Sequence, residues 1–108
     1  MKNTVAIITL NYNQNDYTAK CIDSILESEY DNFKLLLIDN GSSELNYVKL
    51  TKILPKNEKL TINRIDKNIG YVGGINYGLK IAKKIKADYI LIMNNDTIID
   101  KHAISKLV

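Results

Sequence analysis

The side chains with the most chemistry to offer lie in Tyr89-Ile-Leu-Ile-Met-Asn-Asn-Asp-Thr97. An apolar run, Tyr89–Met93, leads straight into Asn94, Asn95 and Asp96, whose oxygens suit a hard cation or a sugar hydroxyl and add nothing to a core. Mg²⁺ or Mn²⁺ often takes just one or two carboxylates when a substrate diphosphate and water complete its shell. Asp96 beside two carboxamides fits the donor set expected of a cation shared with a diphosphate, and is too poor in charge for a cage built of protein alone. Turn chemistry with a helix cap is the competing reading, because Asn and Asp are favoured in both. A second acceptor, Asp39, follows the apolar run Lys34–Ile38. There it suits the N–H of a pyrimidine base or a ribose hydroxyl, and an Asx turn at Asp39-Asn40-Gly41-Ser42 fits it equally well. Gly70-Tyr71-Val72-Gly73-Gly74 opens a helix, where bare backbone and the helix N-terminus favour an anion such as a diphosphate. Close helix-to-sheet packing is an equal explanation for Gly73, Gly74 and Gly78. Neither GxGxxG after the first strand nor GxxxxGK[ST] occurs, which disfavours a dinucleotide-binding Rossmann domain and a P-loop.

Positioning these groups requires a scaffold, and the chain spells one out. Val5–Leu10 and Lys34–Ile38 are apolar, β-branched or leucine-rich runs without alternation, the pattern of strands buried on both faces. Tyr89–Met93 reads as a third buried strand. Leu60–Ile65 alternates in part and suits a place nearer the sheet edge. Between them, Tyr17, Cys21, Ile22, Ile25 and Leu26 follow helical spacing to about Ser28, with Asn15 or Asp16 placed to cap. Glu44–Leu54 is a second helix, stopped by Pro55, and Val72–Lys84 a third; a fourth starts near Asp100 or Lys101. The order β-α-β-α-β-α-β-(α) predicts a Rossmann-like α/β fold, a mainly parallel sheet covered by helices on both faces. Such a sheet gathers the carboxyl ends of its strands along one edge, where ligands bind. Tyr12, Asn13, Asp39 and Asn94–Asp96 all fall there.

Composition narrows the classes. At 108 residues the chain is a single domain, and its formal charge of +3 is spread over scattered lysines without the stripe that nucleic-acid binding needs. The lone Cys21 excludes an internal disulfide and reads as a buried thiol; the lone His102 reads as a surface residue. Val5–Leu10 is too short to span a bilayer and no cleavage site follows it, so a cytoplasmic setting is expected.

Four blocks carry a resemblance. Val5–Asn13 ending in Tyr12-Asn13, Ile38-Asp39-Asn40-Gly41-Ser42, the stretch Asn68–Gly78, and Leu91-Ile92-Met93-Asn94-Asn95-Asp96-Thr97 together resemble the nucleotide-sugar-binding half of a family 2 glycosyltransferase. They occur in that family's order and spacing over essentially the whole chain, and Asn-Asn-Asp-Thr is most similar to the rhamnosyltransferase-like branch. The resemblance implies a GT-A fold and a hexosyltransferase that moves sugar, with inversion, from a UDP- or dTDP-sugar to a glycan or lipid-linked acceptor, as in polysaccharide biosynthesis. By position, Tyr12 would pack against the base and Asp39 would accept from the base N–H. Asn94 or Asn95 would lie near the ribose and phosphate, with Asp96 as the metal-binding member of a DxD-like motif. Asn13, Gly70, Gly74 and Asn76 complete the implied nucleotide-sugar-binding set. Two departures stand out: the first acidic position of the motif is Asn94, and Gly74-Ile75-Asn76 replaces an Ala-Arg-Asn, so no arginine from that helix meets the diphosphate.

Family members carry a further stretch with the acceptor site and an acidic general base, expected beyond Val108. Residues 1–108 are thus expected to be a donor-binding domain truncated at its C-terminal end and inactive in transfer by itself. Any membrane association would come through other parts of the parent, and truncation would bare apolar surface that favours self-association. The alternative class is a non-enzymatic α/β signalling or nucleotide-binding module of receiver type, which needs clustered carboxylates at the first strand's end. Asn11-Tyr12-Asn13 stands there instead.

Overall fold

The computed structural model describes residues 2–108. Its elements run β1 (Val5–Asn11), α1 (Asn15–Leu26), β2 (Phe33–Asn40), α2 (Glu44–Ile53), β3 (Leu60–Ile65), α3 (Gly70–Lys84), β4 (Tyr89–Ile92) and α4 (Ala103–Leu107). The strands form one sheet in the order β3-β2-β1-β4, and every pairing is parallel. In register, Asn11 stands opposite Asp39 and Ile8 opposite Ile92.

Strand alternation divides the core in two. Val5 and Ile7 of β1 and Leu35 and Leu37 of β2 pack with Cys21, Ile22 and Ile25 of α1, Leu50 of α2 and Ile104 of α4. Ala6, Ile8, Leu36 and Ile38 face the other way, onto Ile75, Leu79 and Ala82 of α3. Helices therefore cover both faces, as the order of elements predicts. Gly74 lets α3 come down on the sheet: a Cβ there would lie 2.9 Å from Leu10 Cδ1 and 3.0 Å from Asn40 Nδ2.

Two expectations are corrected. The run Tyr89–Met93 does form a strand, but at the sheet edge, where Tyr89 is 48% exposed and Ile92 44%. An unbroken apolar run reports what a strand can bury, not which neighbour reaches it. Only Met93, just past the strand, is deeply buried, its N–H donating to the Ile8 carbonyl at 2.9 Å. The second correction concerns α1, which begins at Asn15 with Gln14 in the cap position and no side-chain cap bond. Asn15 is drawn off to Asn11 and to the Asn46 carbonyl, and Asp16 serves only as a first-turn charge. Ser43 does cap α2, accepting from the Asn46 N–H at 3.2 Å. Of the apolar residues on α2, Leu50 is buried while Leu45, Val48 and Ile53 are exposed.

Candidate functional site

The carboxyl ends of β1, β2 and β4 and the start of α3 meet around a cleft of about 250 Å³. Leu10 and Tyr12 come from β1 and its tip, Asn40 from β2, Asn68 and Tyr71 from the α3 entrance, and Met93, Asn94 and Asn95 from beyond β4. Gln14 closes one side. Stretches up to 85 residues apart in sequence are thus brought to one place because all the strands point the same way.

Alternation decides which tip residues enter this cleft. Asn40 falls on the α3 face and clamps the α3 entrance, its Nδ2 donating to the Gly70 carbonyl at 2.9 Å and its Oδ1 accepting from the Ile69 N–H at 3.1 Å. Asp39, one residue earlier, falls on the α1 and α2 face and is fully buried. It accepts from Ser42 Oγ at 2.7 Å, Asn11 Nδ2 at 3.1 Å and the Ser42 N–H at 3.2 Å. Gly41 makes this turn possible. Its φ is +80°, and a Cβ there would sit 2.1 Å from the Asn68 backbone nitrogen.

The remaining predicted residues scatter around this frame. Asn13, at φ 53°, turns toward α2, where its Oδ1 accepts from the Ser43 N–H and Asn46 Nδ2. It lines a separate groove with Tyr17 and Lys49. Gly70 stands at φ +82° with open space where a Cβ would go, but its N–H is already held by Asn68 Oδ1 at 2.7 Å. Gly74 is buried against the sheet and Asn76 is exposed on α3, and neither lines the cleft. Asp96 is exposed beside Asn94 and Asn95. Leu10, Gln14, Asn40, Asn68, Tyr71 and Met93 line the cleft without standing among the predicted residues. For Asn40 the signal was available, since consecutive strand residues face opposite ways and Asp39 and Asn40 cannot both serve one side.

Burial pushes the Cys21 thiol above its ordinary range, so it stays neutral beneath the β4 tip, 3.7 Å from the Asn94 carbonyl. His102 is partly exposed and pairs with Glu29 at 2.8 Å.

The cleft-lining residues carry no charged side chain; Asp96, which follows the lining Asn94 and Asn95 and does not itself line the cleft, is exposed and has the same sign as a phosphate. A diphosphate beside Asp96 would be repelled unless a cation stood between them. Among the described residues no group of three or more His, Cys, Asp or Glu could hold a metal. The donor set thus fits a cation completed by ligand oxygens and does not fit one held by the protein alone.

Comparison with known proteins gives this geometry its setting. The sequence pattern of Glycosyl transferase family 2 matches residues 5–108. The chain belongs to this family. The glycosyltransferase GlyG of Streptococcus pneumoniae is 23% identical over 99% of the chain and 35% of its own length. A poly-β-1,6-N-acetyl-D-glucosamine synthase of Staphylococcus aureus is 27% identical over 85% of the chain and 21% of its own length. The fold matches the mannosyltransferase PcManGT of Pyrobaculum calidifontis, solved with GDP-Man and Mn²⁺, with a TM-score of 0.83 at 16% identity over 97% of the chain and 31% of the neighbour. It matches TarS of S. aureus with UDP-GlcNAc at 0.75, 19% identity, over 96% of the chain and 30% of the neighbour. The GT-A fold of this family 2 chain is thereby established, and the family displaces the signalling-module alternative. The chain spans about a third of the length of GlyG.

Proposed function

We propose that this family 2 domain binds the nucleoside diphosphate sugar donor of a glycosyltransferase, with the donor laid across the cleft from Tyr12 to the Asn94–Asp96 tip. The observation that carries the reading is the convergence of the β1, β2 and β4 tips and the α3 entrance on one neutral, carboxamide-rich cleft, with the exposed Asp96 next in sequence after the lining Asn94 and Asn95. Tyr12, 47% exposed, offers a ring face to a base, and Asp39 anchors that end from below. The bound GDP-Man and UDP-GlcNAc of the two structural neighbours support a nucleotide-sugar ligand, and the Mn²⁺ of the first supports a divalent cation. Asp96, aided by Asn94, would hold Mg²⁺ or Mn²⁺, which when bound supplies Lewis-acid relief of charge on the leaving diphosphate. The protein's own part is to orient: carboxamides bond sugar and ribose hydroxyls, and Tyr12 and Leu10 shield the base end from water.

The finer reading is transfer with inversion from a UDP- or dTDP-sugar to a glycan or lipid-linked acceptor, in the manner of the rhamnosyltransferase-like branch. Inversion needs a base within hydrogen-bond reach of the acceptor hydroxyl. We place that base and the acceptor pocket in further parts of a longer parent, as the greater length of the relatives supports, and the domain itself on the cytoplasmic side. Among the described residues, no helix is long and apolar enough to cross a membrane.

The test is an NMR titration with UDP- and dTDP-sugars, with and without Mn²⁺. Shifts should cluster at Tyr12, Asp39 and Asn94–Asp96 and tighten with the cation. Scattered or absent shifts at millimolar ligand would end the donor-site reading. The same 108 residues should show no acceptor-dependent turnover with labelled donor.

A further inference from the structure

The hydroxyl of Thr18 has no part in the motifs or in the donor reading, yet it stands between two polar strand tips. Fully buried on α1, it accepts from Asn95 Nδ2 at 3.1 Å and donates to Asn11 Oδ1 at 2.6 Å. Asn11, also fully buried, passes the order on, its Nδ2 donating to Asp39 Oδ1 at 3.1 Å. Each carboxamide therefore has one permitted orientation: Asn95 shows its NH₂ to α1, and Asn11 shows Thr18 its oxygen. The donors all run one way, from the β4 tip through α1 and β1 to a carboxylate on β2. Hydrogen bonds aligned head to tail in a buried setting polarise one another. Asn95 Nδ2 also donates to Gln14 Oε1 at 3.0 Å, so the amide nitrogen of the middle tip residue is spent on α1 and its cap residue. Asn94 and Asp96 make no side-chain hydrogen bonds among the described residues; the Asn94 carbonyl accepts from the Thr97 N–H at 3.1 Å and from Cys21 Sγ at 3.7 Å, and Asn95 supplies the side-chain tie between them.

We propose, on the footing of the donor-site reading, that Thr18 is a positioning residue for the phosphate end of the site. It tethers Asn95 and thereby sets Asn94 and Asp96 where diphosphate and cation meet, while the Asp39 end serves as the fixed anchor. Asn95 is on this account a tether whose amide faces the protein, and the ligand contacts of the tip fall to its two neighbours.

Thr18→Val removes the hydroxyl and Thr18→Ser keeps it. Two measurements on the 108-residue chain read the effect: hydrogen exchange of the Asn95 side-chain amide in the free protein, and the affinities for uridine and for UDP with Mn²⁺ by calorimetry. In Thr18→Val the amide should exchange about tenfold faster and UDP with Mn²⁺ should bind about tenfold more weakly, the scale of one lost hydrogen bond. Uridine affinity should change by less than about twofold, and Thr18→Ser should restore wild-type behaviour on both measures. Equal losses for uridine and UDP, or no restoration by serine, would mark a merely structural residue and overturn the assignment. Should Thr18→Val lose its native spectrum, Asn95→Ala at the outer end of the chain should give the same split between uridine and UDP, and its absence would overturn the assignment too. A wild-type chain that binds neither ligand sinks the donor-site reading and this assignment with it. A wild-type chain that binds normally, beside a valine variant that does the same, sinks this assignment alone.

Discussion

The β1–β2 tip and the β4 tip lie on one rim of the sheet and are built in opposite ways. At the first, Asn11, Asp39 and Ser42 are buried and joined to one another, and Asn13 is pinned from both its backbone and its side chain. At the second, Asp96 and Asn94 are exposed, and the Asn95 amide is the side-chain tether. A set of polar groups that satisfies itself keeps its shape without a ligand and charges no ordering cost on binding. A set left open keeps acceptors free for what binds. On the proposed donor reading, the base end would be finished by the chain and the phosphate end by the cation and the diphosphate.

Mutations can break that contrast, beginning where the effect is largest. Gly41→Ala places a methyl on the Asn68 backbone at a φ that L-residues resist, and should cost about 3–5 kcal/mol in urea unfolding. Next come the two tip aspartates. Asp39→Ala strands the Asn11 and Ser42 donors in the interior and should cost about 2–4 kcal/mol, whereas Asp96→Ala should fall within about 0.5 kcal/mol of wild type. Equal costs for the two would erase the distinction between the tips. Asp96→Asn sharpens it: the melting curve should be unchanged, while the gain in nucleotide affinity on adding Mn²⁺ disappears. If that variant unfolds, Asp96 is a structural turn residue and the tip is not open in the sense argued.

Smaller effects lie away from the rim. Ile92→Lys puts a charge on the exposed edge strand and should lower any concentration-dependent association seen by sedimentation, with little change in stability. The hydrogen bond from His102 to Glu29, helped by Ser105, holds the Glu29 carboxyl below its ordinary range. A depressed carboxylate contributes above its unfolded pKa, and the contribution fades as pH falls through the lower folded value. Wild type and Glu29→Gln should therefore differ slightly at neutral pH and converge in acid, a small gap because both partners are solvated.

Much of this architecture was legible in the residues, for reasons that differ by element. Val5–Leu10 and Lys34–Ile38 are apolar at every position, and only a central parallel strand can bury all of them, so β1 and β2 stood out. Tyr89–Met93 has the same pattern, yet β4 lies at the edge, because strand order is a property of packing and leaves no mark in a local run. The rim assignment followed from parallel strands alone. The turn reading of Asp39-Asn40-Gly41-Ser42 agrees with the bonds Asp39 accepts from Ser42, but which face each rim residue takes did not follow from the motif, since alternation sends Asp39 and Asn40 to opposite sides. The partnership of Thr18 with Asn95 had no local signal at all, being a contact across 77 positions.

The seat of Gly41 on the Asn68 backbone has a mechanical consequence. That contact rivets the β2 turn to the loop entering α3, and the approach of Gly74 to Leu10 presses the same helix to the sheet. One jaw of the cleft is thereby fixed by close packing of backbone, while the β4 tip is held by hydrogen bonds alone at Asn94 and Asn95. Reshaping that side of the cleft therefore falls to exchange of the side chains at Asn68, in the entering loop, and Tyr71, on the first turn of α3, with the helix left where it is.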